Sequence, residues 1–106
     1  MPLANTPNYP SYTSGATNFT SAVTRSLALF FGTDAITYSV TWVSVGAPPP
    51  TNTTRTYDSL SAAMDDVVNA RVFEGIHFRF ADTVARRTGK RAADWAFSHV
   101  MRPITP

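Results

Sequence analysis

The period of the apolar side chains changes along this chain, and that alternation limits the folds open to it. From Ala16 to Phe31, apolar residues fall at Phe19, Ala22, Val23, Leu27, Phe30 and Phe31, the spacing of one helical face. From Ile36 to Val45 the period drops to two: Ile36, Tyr38, Val40 and Trp42 alternate with Thr37, Ser39 and Thr41. Helical spacing returns at Leu60, Ala63, Met64, Val67 and Val68, a stripe that Arg71 ends. It returns again in a last segment whose expected buried positions are Phe80, Val84, Ala92, Trp95 and Val100. The pattern predicts a mainly α fold. Three helices span about 16–31, 59–71 and 76–99, and an extended or hairpin-like insertion spans 36–57, its second strand near 53–57.

Local signals agree with these limits. Thr13 or Ser14 can cap the first helix, and Gly32 stands where a left-handed residue would end it. Ala47-Pro48-Pro49-Pro50 stops the first strand, Asp58 or Ser59 can cap the second helix, and Arg102-Pro103 ends the third. Gly89 interrupts that last helix and weakens it by about 1 kcal/mol relative to alanine. Met1 to Gly15 holds three prolines and reads as an arm. With 106 residues the expectation is one domain, an arm at 1–15 and a helical unit at 16–106.

Composition narrows the function classes. Nine Lys+Arg against seven Asp+Glu give a net +2 with no run of like charge, which speaks against nucleic acid as a partner. The absence of cysteine excludes disulfide frameworks, zinc ribbons and thiol catalysis. No apolar run reaches the roughly 18–20 residues of a membrane span. Met1-Pro2-Leu3 does not open a signal peptide, so no membrane partner and a cytoplasmic location as expressed are expected. Charged residues are only 15%, and three helices make a thin bundle, so a homodimer is expected to complete it.

Three groups of residues could carry chemistry. Ser14-Gly15 leads into a helix N-terminus, where free N–H groups favour an anion. Arg71 and His77 lie six apart, one closing a helix and the other opening the next. Arg offers a charged fork to a tetrahedral oxyanion, and His a nucleophilic nitrogen near neutral pH. The stripe of the second helix points Arg71 inward, toward a pocket shared with His77 and the Ser14-Gly15 turn. Glu74 and His77 form an i, i+3 pair that could supply two metal ligands. His99 would lie about 33 Å from His77 along a continuous helix, so it could join them only from a second chain of a dimer.

Tyr9-Pro10-Ser11-Tyr12-Thr13-Ser14-Gly15, then Phe30-Phe31-Gly32-Thr33-Asp34, then Ala70-Arg71-Val72-Phe73-Glu74-Gly75-Ile76-His77-Phe78-Arg79-Phe80, resemble bacterial vanadium-dependent haloperoxidase-like proteins of the type 2 phosphatidic acid phosphatase superfamily. The likeness runs in order to Met101-Arg102-Pro103, and the Arg71 to His77 spacing fits the family's Ser-Arg-x5-His motif. The resemblance implies that the chain matches the C-terminal part of a longer helical-bundle domain and binds vanadate or phosphate. By the same resemblance Ser14, Gly15 and Arg71 would hold the oxyanion, and His77 would be the nucleophile or vanadium ligand. Ala16 stands where the family has an acidic His, and the family's Lys-x6-Arg-Pro motif is absent. The function expected is a minimal phosphoester hydrolase acting on a small phosphoester or other oxyanion. The alternatives are a non-catalytic, self-associating fragment that binds phosphate, and a hydrolase using a divalent metal held by Glu74, His77 and His99 across a dimer.

Overall fold

The computed structural model describes residues 8–43, 52–100 and 102–104. Its elements follow the order α1 (Gly15–Phe31), β1 (Tyr38–Val43), β2 (Asn52–Tyr57), α2 (Ala62–Phe73) and α3 (Arg79–His99). The predicted elements all form. The expected strand end at Val45, its stop at Ala47–Pro50 and the arm before Asn8 lie outside the described residues.

Each helix boundary has a local cause. Ser14 takes extended backbone angles and accepts the Thr17 N–H, while Gly32 ends α1 at φ 72°. α2 starts at Ala62, three residues later than the sequence suggests. Ser59 Oγ accepts the Ala62 N–H at 3.1 Å, so Ser59 acts from outside the helix. Asp34, from the loop after α1, accepts the Ser61 N–H at 2.9 Å and the Ser61 hydroxyl, which ties that loop to the start of α2. α3 starts at Arg79 rather than 76, because Gly75 turns the chain at φ 79° and Phe78 is still extended.

α1 and α3 run in the same direction. Ser14 meets Ala81, Thr17 meets Asp82, and Arg25 pairs with Asp94 at 2.6 Å. α2 runs against them, with Asp65 on Arg86 and Asn69 on Arg79. The stripe of α2 is buried as expected at Met64 and Val68, with Leu60 just before it.

The core between α1 and α3 is not the one the apolar pattern suggests. Thr17, Ser21 and Ala28 are the buried residues of α1, and Ala81, Asp82, Ala85, Gly89 and Ala93 those of α3. The apolar stripe of α1, Phe19, Val23, Leu27, Phe30 and Phe31, is exposed, and of the buried positions expected in α3, Phe80, Ala92, Trp95 and Val100 are exposed. Steric closeness explains the choice. A Cβ placed on Gly89 would come within 2.4 Å of Asn18 O and 2.9 Å of Ser21 Cβ. Two backbones this close admit only small or hydrogen-bonding side chains between them, so the large ones point outward. Gly89, which costs helix propensity, is what lets the pair close.

The hairpin is two antiparallel strands with Tyr38 opposite Tyr57 and Val43 opposite Asn52. Ser39–Thr56 and Thr41–Thr54 hydroxyl pairs at 2.8 Å line one face. Among the described residues it is tied to the rest of the chain where Tyr57 donates to Asp66 at 2.7 Å, Arg55 pairs with Asp66 at 3.1 Å and Tyr38 donates to Leu60 O at 3.4 Å.

Candidate oxyanion site

The segment from Tyr9 to Thr17 runs alongside the segment from His77 to Asp82, with contacts in the same order along both. The rings of Tyr9 and His77 lie 5.9 Å apart. Ser11 Oγ accepts the Phe78 N–H at 3.4 Å and lies 3.3 Å from His77 Nδ1. Tyr12 stacks on Phe80, the Ser14 N–H donates to Ala81 O, and Thr17 Oγ1 donates to Asp82 Oδ1 at 2.7 Å. This docking buries His77, which is 5% exposed, although it sits in a turn outside any helix.

Arg71 reaches the same ring from the last turn of α2. Its Nη2 is 3.4 Å from His77 Nε2 and donates to the Tyr9 hydroxyl at 2.9 Å. Glu74 lies 3.8 Å from Nη1. Arg71 Nε is buried with no protein partner. The expected convergence of Arg71 and His77 is therefore present. The turn that allows it is closed by backbone bonds from Ile76 N–H and His77 N–H to Arg71 O, at 3.2 and 3.4 Å.

For a neutral imidazole the two contacts select one tautomer. A guanidinium only donates, so Nε2 beside Arg71 carries the lone pair. Nδ1 then carries the proton, and Ser11 Oγ is its acceptor. The nitrogen that bears the lone pair in that tautomer faces the cation.

The Ser14-Gly15 turn lies one step further along, against Ala81. Ser14 is fully buried, and its hydroxyl is committed to Thr17, accepting the N–H at 3.4 Å and donating to Oγ1 at 3.2 Å. It caps the helix rather than presenting a free hydroxyl. Gly15 is exposed, and nothing lies within 4 Å of where its Cβ would sit. Open space thus adjoins the first N–H groups of α1, which no intrahelical carbonyl can satisfy.

Asp82 is the site residue that sequence reasoning missed. It is fully buried, it ends the hydroxyl chain from Ser14 through Thr17, and its Oδ2 has no partner. Its signal was an acid in the first turn of α3, where a helix dipole favours it. Tyr9 and Ser11 carried no signal of their own, because only long-range docking brings them to His77.

The metal alternative gains no support within one chain. Among the described residues no group of three His, Cys, Asp or Glu side chains could hold a metal ion. His99 stacks on Trp95 at the far end of α3, and its Nδ1 lies 2.8 Å from Trp95 O. No helix among the described residues is long and apolar enough to cross a membrane.

A family model described as the VCPO second helical-bundle domain matches residues 1–106, the whole chain. The chain belongs to that family. Solved structures carry the same fold. A holo-type bacterial vanadium-dependent chloroperoxidase superposes with a TM-score of 0.77 at 18% identity, over 92% of this chain and 22% of that one. A bacterial vanadium-dependent iodoperoxidase superposes with a TM-score of 0.76 at 26% identity, over 92% of this chain and 23% of that one. No curated protein matches the chain. This VCPO-type domain thus spans about a fifth of the length of the solved chains it resembles.

Proposed function

We propose that this domain is a minimal phosphoester hydrolase that acts on esters with good leaving groups. The observation that carries the reading is the apposition of Arg71 Nη2 and the lone-pair nitrogen of a buried His77, 3.4 Å apart. In this reading the guanidinium binds the phosphoryl oxygens in place of the Tyr9 hydroxyl, and the open N-terminus of α1 beside Gly15 adds backbone N–H groups. His77 Nε2 attacks phosphorus, and the P–O bond to the leaving group breaks. Ser11 holds the Nδ1 proton and steadies the ring as it becomes cationic. Water then cleaves the phosphorus–nitrogen bond, releasing free imidazole and the hydrolysed phosphoryl group, inorganic phosphate from a monoester or a diester from a triester. Ala16 has no proton to give, so the leaving group departs as its anion. That favours aryl phosphates and phosphotriesters over alkyl esters.

Vanadate, the group the resemblance implies, has the same tetrahedral shape as phosphate. The unpartnered Arg71 Nε and the His77 lone pair suit it, whereas the Ser14 hydroxyl is committed elsewhere. Once bound, it would supply a Lewis-acidic centre for peroxide chemistry. The burial of Ser14 favours a second reading, in which the site binds phosphate or vanadate without turnover.

An aryl phosphate assay separates the readings. His77→Ala is expected to lower the rate about 100-fold or more, and Arg71→Ala to act in the same direction. Ala16→His is expected to raise hydrolysis of alkyl phosphates and leave aryl phosphates little changed. Hydrolysis unaffected by His77→Ala would overturn the catalytic reading.

A further inference from the structure

Arg71 Nη2 carries two hydrogens, and both are in use. The Tyr9 hydroxyl accepts one at 2.9 Å, and the other faces His77 Nε2 at 3.4 Å. Nη1 is turned to Glu74, 3.8 Å away, and Nε is buried with no protein partner. Nη2 is therefore the guanidinium nitrogen that touches the imidazole. An oxyanion seated against the Nε2 lone pair needs the hydrogen that Tyr9 holds. The Tyr9 ring also stands against the imidazole, with centroids 5.9 Å apart and planes tilted by 31°.

Tyr9 is held in a way that suits release. It is 51% exposed. Among the described residues, no backbone hydrogen bond joins residues 8–13 to the rest of the chain, and the first such bond runs from the Ser14 N–H to Ala81 O. Ser11 is tied separately, through its hydroxyl to the Phe78 N–H and to His77 Nδ1. Tyr9 can thus leave Arg71 while Ser11 keeps the imidazole anchored.

We propose that Tyr9 is a built-in competitor at this site. Its hydroxyl takes the place on Arg71 that a phosphoryl oxygen needs, and an anion binds only as Tyr9 swings away. The proposal rests on the reading of Arg71 and His77 as an oxyanion site, and it names what limits affinity there. The anion wins the exchange, because a hydrogen bond between two charged groups is stronger than one to a neutral hydroxyl. The Tyr9-bound form still lowers the apparent affinity, in proportion to the fraction of molecules in which Arg71 is released. One hydrogen bond from a charged donor sets that factor at about ten.

Calorimetric titration of the full chain with inorganic phosphate tests this. Tyr9→Phe keeps the ring and removes only the hydroxyl, so it should bind phosphate about tenfold more tightly. Tyr12→Phe, on a ring stacked against Phe80, should leave the affinity unchanged. A second measurement needs no variant. In the unaltered chain, the nuclear Overhauser effect between the Tyr9 and His77 rings should fade along the same saturation curve as phosphate binds. Equal or weaker binding by Tyr9→Phe, or a ring contact that persists at saturating phosphate, would overturn the proposal and leave the oxyanion reading standing. No phosphate binding by either protein would remove both.

Discussion

The two sides of α1 teach opposite lessons about how an amphipathic pattern is used. The side that meets α3 is made of Thr17, Ser21 and Ala28, is buried, and is closed by hydroxyl hydrogen bonds and by the missing side chain of Gly89. Ser21 Oγ donates to Arg86 O at 2.5 Å, and Thr17 donates to the buried Asp82. The other side carries Phe19, Val23, Leu27 and Phe30 and lies open. The same helix is thus sealed by short contacts on its polar side and left uncovered on its apolar side. Within the chain, nearness of backbones decides burial, and the hydrophobic effect is left to act on whatever covers the outer face.

Substitutions on the two sides should differ in size. Gly89→Val should cost the most, about 3 kcal/mol in chemical denaturation, because the new side chain would enter Asn18 O and Ser21 Cβ. Gly89→Ala sharpens the point. Propensity alone would add about 1 kcal/mol of stability, whereas the 2.4 Å approach predicts a net loss, so the sign of the change decides which effect rules the seam. Thr17→Val keeps the shape but leaves the Asp82 carboxylate without its hydroxyl donor, for a loss of about 2 kcal/mol. Phe73→Ser, on a residue 76% exposed at the end of α2, should move stability by less than about 0.5 kcal/mol. A larger loss there would mean that the outer aromatic residues hold the protomer together.

The smallest effect belongs to the hairpin and depends on pH. The Tyr57 hydroxyl is held above its ordinary range first by its hydrogen bond to the Asp66 carboxylate, then by burial. Burial, and then the charge of Asp34, raises Tyr38. Raised values mean that the folded state keeps these protons longer than the unfolded chain does. The stabilisation is therefore present below about pH 10 and is lost as pH climbs through the folded values. Tyr57→Phe should make the hairpin less sensitive to pH in that window, as read by backbone amide exchange of β2.

Much of this was legible in the sequence because period and turn chemistry are local. Ser14 and Gly32 bound α1 where a cap and a left-handed glycine were expected. Met64 and Val68 form the buried stripe of α2, with Leu60 just before it. Arg71 and His77 could be paired because only a short turn separates them. The buried face of α3 was misread at Phe80, Ala92, Trp95 and Val100, since a hydrophobic period finds a face without saying which neighbour covers it. Asp82, Tyr9 and Ser11 escaped because their roles depend on a parallel docking of distant segments. Gly89 was read as a weakness of α3, and only the position of Asn18 shows it as a requirement.

The central claim is that Arg71 and His77 form one oxyanion site, and the chain supplies its own control, since it has two histidines. Nitrogen-15 NMR of both imidazoles during titration with inorganic phosphate or orthovanadate tests the claim directly. The His77 Nε2 resonance should shift and saturate, His99 should stay in place, and Arg71→Ala should abolish the shift. An unmoved His77, or equal movement of His77 and His99, would contradict the account.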